Sequence, residues 1–116
     1  MDMTPSEMMD VLQSKNRMLT DKNEEYKDLA EKRANAKRDY NVEYARQLLV
    51  LKSQGTPITI AKEVCKGNRA VADLKFTYEV AAAIEKACLE SMKDIREAIG
   101  AARSILTWFR NELQSQ

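Results

Sequence analysis

Histidine is absent from this chain, and its two cysteines, Cys65 and Cys88, stand far apart. With no His and no C-x-x-C pair, the usual zinc, haem and dithiol spacings have no residues to form them. Both cysteines are expected to be small apolar side chains in a reducing compartment, with no disulfide between them. Carboxylates are plentiful, as in Glu24, Glu25, Asp28 and Glu31, but each lies within a turn of Lys22, Lys27, Lys32 or Arg33. Such spacing makes ion pairs on a solvated helix surface rather than an acid–base pair in a cleft. Neither a Gly-rich phosphate loop, nor G-x-S-x-G, nor an H-x-E or E-x-x-H metal pattern occurs. The sequence predicts no enzyme, no cofactor and no metal.

Residues suited to binding are easier to find. Between Lys52 and Lys75, five cations (Lys52, Lys62, Lys66, Arg69 and Lys75) face only Glu63 and Asp73, a local excess of three positive charges. Two helix N-termini, at Pro57 and near Asn68, would add free backbone N–H groups, which suit phosphate. Lys62, Lys66, Arg69 and Lys75 are therefore the candidate contacts to nucleic acid; the competing reading is a solubilising cap. A second basic cluster, Lys32-Arg33 and Lys37-Arg38, carries the same two readings. The other feature is Trp108-Phe109 in "SILTWFRNEL". Adjacent helical side chains point about 100° apart, so Phe109 can face a helix of its own chain while Trp108 faces outward or toward another chain. Trp is a favoured anchor between chains, although packing inside the protomer would also account for it.

Long helices must position these residues. The 116-residue chain is 44% apolar and 32% charged, with only Gly 3 and Pro 2. So few breakers among so many Ala, Glu, Lys, Arg, Leu and Met argue for an all-α protein. Lys+Arg 19 against Asp+Glu 18 gives +1, which excludes a globally basic DNA-coating protein and an acidic nucleic-acid mimic. No apolar run approaches a membrane span, and "MDMTPSEMMD" has no signal-peptide pattern; a cytoplasmic protein without membrane contact is expected.

Thr4-Pro5-Ser6-Glu7 reads as a capping box, opening a helix from about residue 5 to 53, roughly 70 Å at the usual rise. Its stripe, in steps of three and four, is Met8, Leu12, Lys15, Leu19, Lys22, Tyr26, Leu29, Arg33, Ala36 and Tyr40. It then shifts through two steps of four, Tyr44 and Leu48, to Leu51, a stutter in a coiled-coil pattern. Gly55 ends this helix, Thr56-Pro57 starts a short one (about 57–66, buried face Ile58, Ile60, Ala61 and Val64), and Gly67 closes it. Asn68 caps the last, about 69–113, with the stripe Val71, Leu74, Tyr78, Ala81, Ile84, Cys88, Met92, Ile95, Ile99, Ala102, Leu106, Phe109 and Leu113. Matched end to end, the two stripes predict one domain, 1–116: a long antiparallel helical hairpin, coiled-coil-like, with Leu51 near Val71, Tyr44 near Tyr78 and Leu12 near Phe109.

The last helix carries a second stripe: Val80, Ala83, Ala87, Ser91, Ala98, Ala101, Ile105 and Trp108. The combined apolar arc is wider than one seam needs, and the short helix is too brief to cover it. Self-association follows, a dimer closing a four-helix bundle being the simplest form, with Ala98, Ala101, Ile105 and Trp108 as the partner-binding face.

Through "GTPITIAKEVCKGNRAVADLKFTYEVA" and "ARSILTWFRNEL", the chain resembles small helical-hairpin proteins encoded by phages and prophages of low-GC Gram-positive bacteria. The resemblance covers most of the second half. It implies a viral context, often among early genes beside recombination and single-strand-binding functions. Secreted hairpins of the WXG type do not fit, since their Trp lies in the turn and here the turn is Gly55-Thr56-Pro57. The expectation is a self-associating interaction or adaptor protein that binds a host or phage protein. The alternatives are an accessory DNA-binding protein of phage replication or recombination, and a phage anti-defence inhibitor.

Overall fold

The computed structural model describes residues 3–115. Three helices account for nearly all of them: α1 (Pro5–Ser53), α2 (Ile58–Gly67) and α3 (Arg69–Gln114). No strand occurs among the described residues. The fold is an all-α helical hairpin, with α2 in the connection between two long helices.

Local chemistry sets each boundary. At the start of α1 the Glu7 amide donates to Thr4 Oγ1 at 3.1 Å and the Thr4 amide donates to Glu7 Oε2 at 3.3 Å, the reciprocal bonds of a capping box. At its end, Thr56 N–H reaches back to the Leu51 carbonyl and Gly55 N–H to the Lys52 carbonyl, at 3.1 and 3.0 Å. This is a Schellman motif, and it needs the left-handed φ of +82° that Gly55 adopts.

Pro57 precedes α2 rather than beginning it, because its ψ of 142° is extended. Gly67 is correspondingly the last residue of α2 and not its stop. The chain turns on Asn68 alone, extended at φ −65° and ψ 130°, whose Oδ1 accepts from the Val71 amide at 3.1 Å and so caps α3.

Tertiary contacts fall into two compact units. The terminal unit comprises Met1–Lys27 and Ala87–Gln116, and the connector unit Asp28–Lys86. In the terminal unit Met8 of α1 and Cys88, Met92, Ile95, Ile99 and Ala102 of α3 are buried. The Cys88 thiol donates weakly to the Lys22 carbonyl at 3.7 Å. In the connector unit Ala36, Ala61, Cys65, Val71 and Ala81 are buried. There Arg33 bonds Glu85, and Tyr40 stacks on Tyr78 at 6.4 Å between centroids. Rising numbers on α1 meet falling numbers on α3, so the two helices are antiparallel. The ring against Tyr78 belongs to Tyr40, one turn before the expected Tyr44, which instead leans on Tyr40 at 6.2 Å.

Every expected stripe position of α1, including the cations Lys15, Lys22 and Arg33, is buried or half-buried. On α3 two positions differ, Ile84 and the last one, Leu113. Ile84 is 44% exposed, and the neighbouring Glu85 turns inward, its side chain only 12% exposed. With Glu85 in place of Ile84 the steps run three, four, three, four without a break from Val71 to Phe109. A carboxylate holds this position because it meets a cation at the matching position of α1. The stripe ends at Phe109, and Leu113 is exposed.

Removing this charge-assisted bond by Glu85→Ala is expected to cost about 1–3 kcal/mol. Replacing Arg33 and Glu85 together by leucine should be neutral or stabilising, because two desolvated charges give way to seam packing. Urea unfolding measures both; a strongly destabilised double-leucine protein would refute the seam assignment.

Candidate interaction surfaces

On α2, small residues face inward. Ala61 and Cys65, one turn apart, are fully buried, whereas Ile58, Ile60 and Val64 are exposed. Of the face expected from the sequence, Ile58, Ile60, Ala61 and Val64, only Ala61 is buried; the observed face pairs it with Cys65, and the three larger side chains turn outward. The basic residues of this region are all exposed. Lys66 pairs with Glu63 at 3.2 Å, Arg69 with Asp73 at 3.1 Å and Lys75 with Glu79 at 4.0 Å. Exposed pairs of this kind are weak and exchange readily with other partners. Lys62 takes part in no ion pair among the described residues. The N-terminus of α2 has no side-chain cap, so its first amides lack a side-chain acceptor.

Nearby on α1, Glu43 accepts from Arg46 Nη2 at 2.8 Å and Gln47 Nε2 at 2.9 Å. Those bonds hold its carboxyl below the usual glutamate range, and the same partner raises the Arg46 guanidinium. Lys22, in the terminal unit, is raised by its bond to Glu25 and the accompanying charge. These are surface ion pairs, and no group of three or more possible metal ligands converges among the described residues.

The outer side of α3 presents apolar side chains in both units. In the terminal unit Ala98 is half-buried, Ala101 and Ile105 are exposed, and Trp108 is 58% exposed. The Trp108 ring meets Phe109 edge-on at 5.3 Å between centroids, while Phe109 itself turns inward and is half-buried. In the connector unit Phe76, 68% exposed, lies one turn from Val80, which lies one turn from Ile84. Together with Lys32, Thr77 and Ala81 they line an open cavity of about 170 Å³. The sequence pattern did not reveal this cavity because apolarity alone places Ile84 in the inner stripe. The spacing Phe76, Val80, Ile84 is the signal that marks it.

No helix among the described residues is long and apolar enough to cross a membrane. No protein-family model, curated protein or solved structure matches the chain.

Proposed function

We propose that this chain is a non-enzymatic interaction protein that self-associates through the outer stripe of α3 and binds a further host or phage protein in the cytoplasm. The observation that supports it is the exposure of Ile105 and Trp108 on a helix whose adjacent stripe is already buried. Large apolar side chains at helical spacing on a face with no partner in the same unit are the usual mark of a binding surface. Ala98 and Ala101 beside them allow a second helix to approach closely. Dimers of such hairpins form four-helix bundles. The phage setting rests on the resemblance carried by "GTPITIAKEVCKGNRAVADLKFTYEVA" and "ARSILTWFRNEL". Trp108→Ala tests the reading: it should weaken self-association by about 1–4 kcal/mol if Trp108 is an anchor, read by sedimentation across a dilution series. An unchanged dissociation constant would refute the assignment of Trp108.

A second reading draws on Lys62 and the side-chain-uncapped N-terminus of α2. An accessory DNA-binding role would use Lys62, Lys66, Arg69 and Lys75 against phosphates. Binding of single- or double-stranded DNA should then appear at low salt and fall steeply as salt rises. Lys66→Ala with Arg69→Ala should reduce the salt slope by about one unit for each phosphate no longer neutralised. Absence of binding at about 50 mM salt, where phosphate contacts are strong, leaves the protein-interaction reading alone.

A further inference from the structure

We infer that the cavity on the connector unit receives Trp108 of a second copy of this chain, in a dimer whose α3 helices pack antiparallel along their outer stripes. The inference rests on the self-association proposed above and specifies which residues meet.

The register comes from the heptad phase of α3. With Glu85 in the inner stripe, Ile84 moves to the outer one, which then runs in steps of four and three from Val80 to Trp108, with Asp94 among its members. In an antiparallel pair the two classes of stripe position face each other, and the numbers of each facing pair add to one value. The pairing centred between Met92 and Lys93 lies close to the middle of α3 (Arg69–Gln114), so the helices overlap along nearly their whole length. It sets Ala98 across from the partner's Ala87, Ala101 from the partner's Ile84, and Ile105 from the partner's Val80. Small residues at the first layer allow an interaxial distance near the lower end of the usual range, about 8 Å. Asp94, the one charge in the stripe, meets the partner's Ser91, whose hydroxyl can donate to the carboxylate. A slip of one heptad either way would put Asp94 against Ile84 or Ala98, burying a charge without a donor.

This register places Trp108 across from the partner's Thr77, which lines the cavity. An apolar void of about 150 Å³ holds a benzene ring, so a cavity of about 170 Å³ has room for much of an indole. Lys32, also in its wall, takes part in no ion pair among the described residues, and a cation over the face of Trp is attracted by the ring. Exposure points the same way: Val80, Ile84, Ile105 and Trp108 are 41%, 44%, 40% and 58% exposed, and pairing in this register covers all four with apolar side chains of the partner.

Cross-linking reads the register. Chains carrying Ala87→Cys or Ala98→Cys, each with Cys65 and Cys88 replaced by alanine, are mixed and oxidised. A disulfide is expected between the two different chains only. An Ala98→Cys chain that cross-links to itself would indicate parallel pairing and overturn the inference. Emission from Trp108, the single tryptophan, provides a second readout that keeps the native cysteines. It should be blue-shifted in the dimer, and Val80→Arg should shift it to the red while weakening dimerisation by roughly 10- to 100-fold. A dimer with no mixed cross-link, or one whose Trp108 emission ignores Val80→Arg, overturns this register and leaves self-association standing. A monomer at every concentration overturns both.

Discussion

Ile99→Ala is expected to destabilise the protein by about 2–5 kcal/mol, the range for a large aliphatic side chain cut back in a packed core. Ile99 is only 5% exposed and lies in the inner stripe of the terminal unit, where Met92, Ile95 and Ala102 are buried around it in sequence. The cavity left by the truncated side chain can close only partly, so the cost exceeds the transfer term alone. Ile105→Ala is the matched control on the same helix. Ile105 is 40% exposed, so its truncation should change the stability of the dissociated chain by less than about 1 kcal/mol. Its effect should appear in assembly instead. Denaturant unfolding at protein concentrations below the dissociation constant separates the two, and equal costs would contradict the division of α3 into an inner and an outer stripe.

Replacing Thr56–Gly67 by a short Gly-Ser turn is expected to lower the melting temperature by about 10–25 °C, taking a loss of about 3 kcal/mol and the usual shift per kcal/mol for a domain of this size. The burial on α2 is what a plug requires. Ala61 and Cys65 are 0% exposed and Val71 is 1% exposed, so deleting α2 removes two buried side chains and threatens the cover of a third. A connector that only reversed the chain would need about two to eight residues; this one forms a helix with a buried face. Its outer side still presents Ile60, Val64 and Lys62 to solvent. A replacement that melts like the parent would show that the plug contributes nothing to stability and would shift the role of α2 to recognition.

Helix boundaries were legible in the sequence because they rest on local chemistry. Thr4 with Glu7, Gly55, and Asn68 each act through side chains or backbone torsions within a few residues, and each is found in its expected role. Hydrophobic spacing located the inner stripes for the same reason. It failed at Glu85, where the deciding fact was a cation on the other helix. Apolarity ranks Ile84 above Glu85, and only the pairing with Arg33 reverses that order. The buried face of α2 was half legible: Ala61 is buried as expected, whereas Ile58, Ile60 and Val64, ranked inward by their apolarity, are exposed and Cys65 takes the second inner position. Trp108 and Phe109 were separated correctly by their 100° offset, Phe109 inward and Trp108 exposed. The cavity bounded by Phe76 and Ile84 was invisible until the phase of α3 had been set by Glu85.

Light scattering coupled to size exclusion, at micromolar protein in moderate salt, asks whether the outer stripe of α3 is a surface between copies. The predicted mass is about twice the 13.3 kDa of one chain, falling toward one chain's mass on dilution and in the Trp108→Ala protein. A single chain's mass that persists as the concentration rises would contradict it.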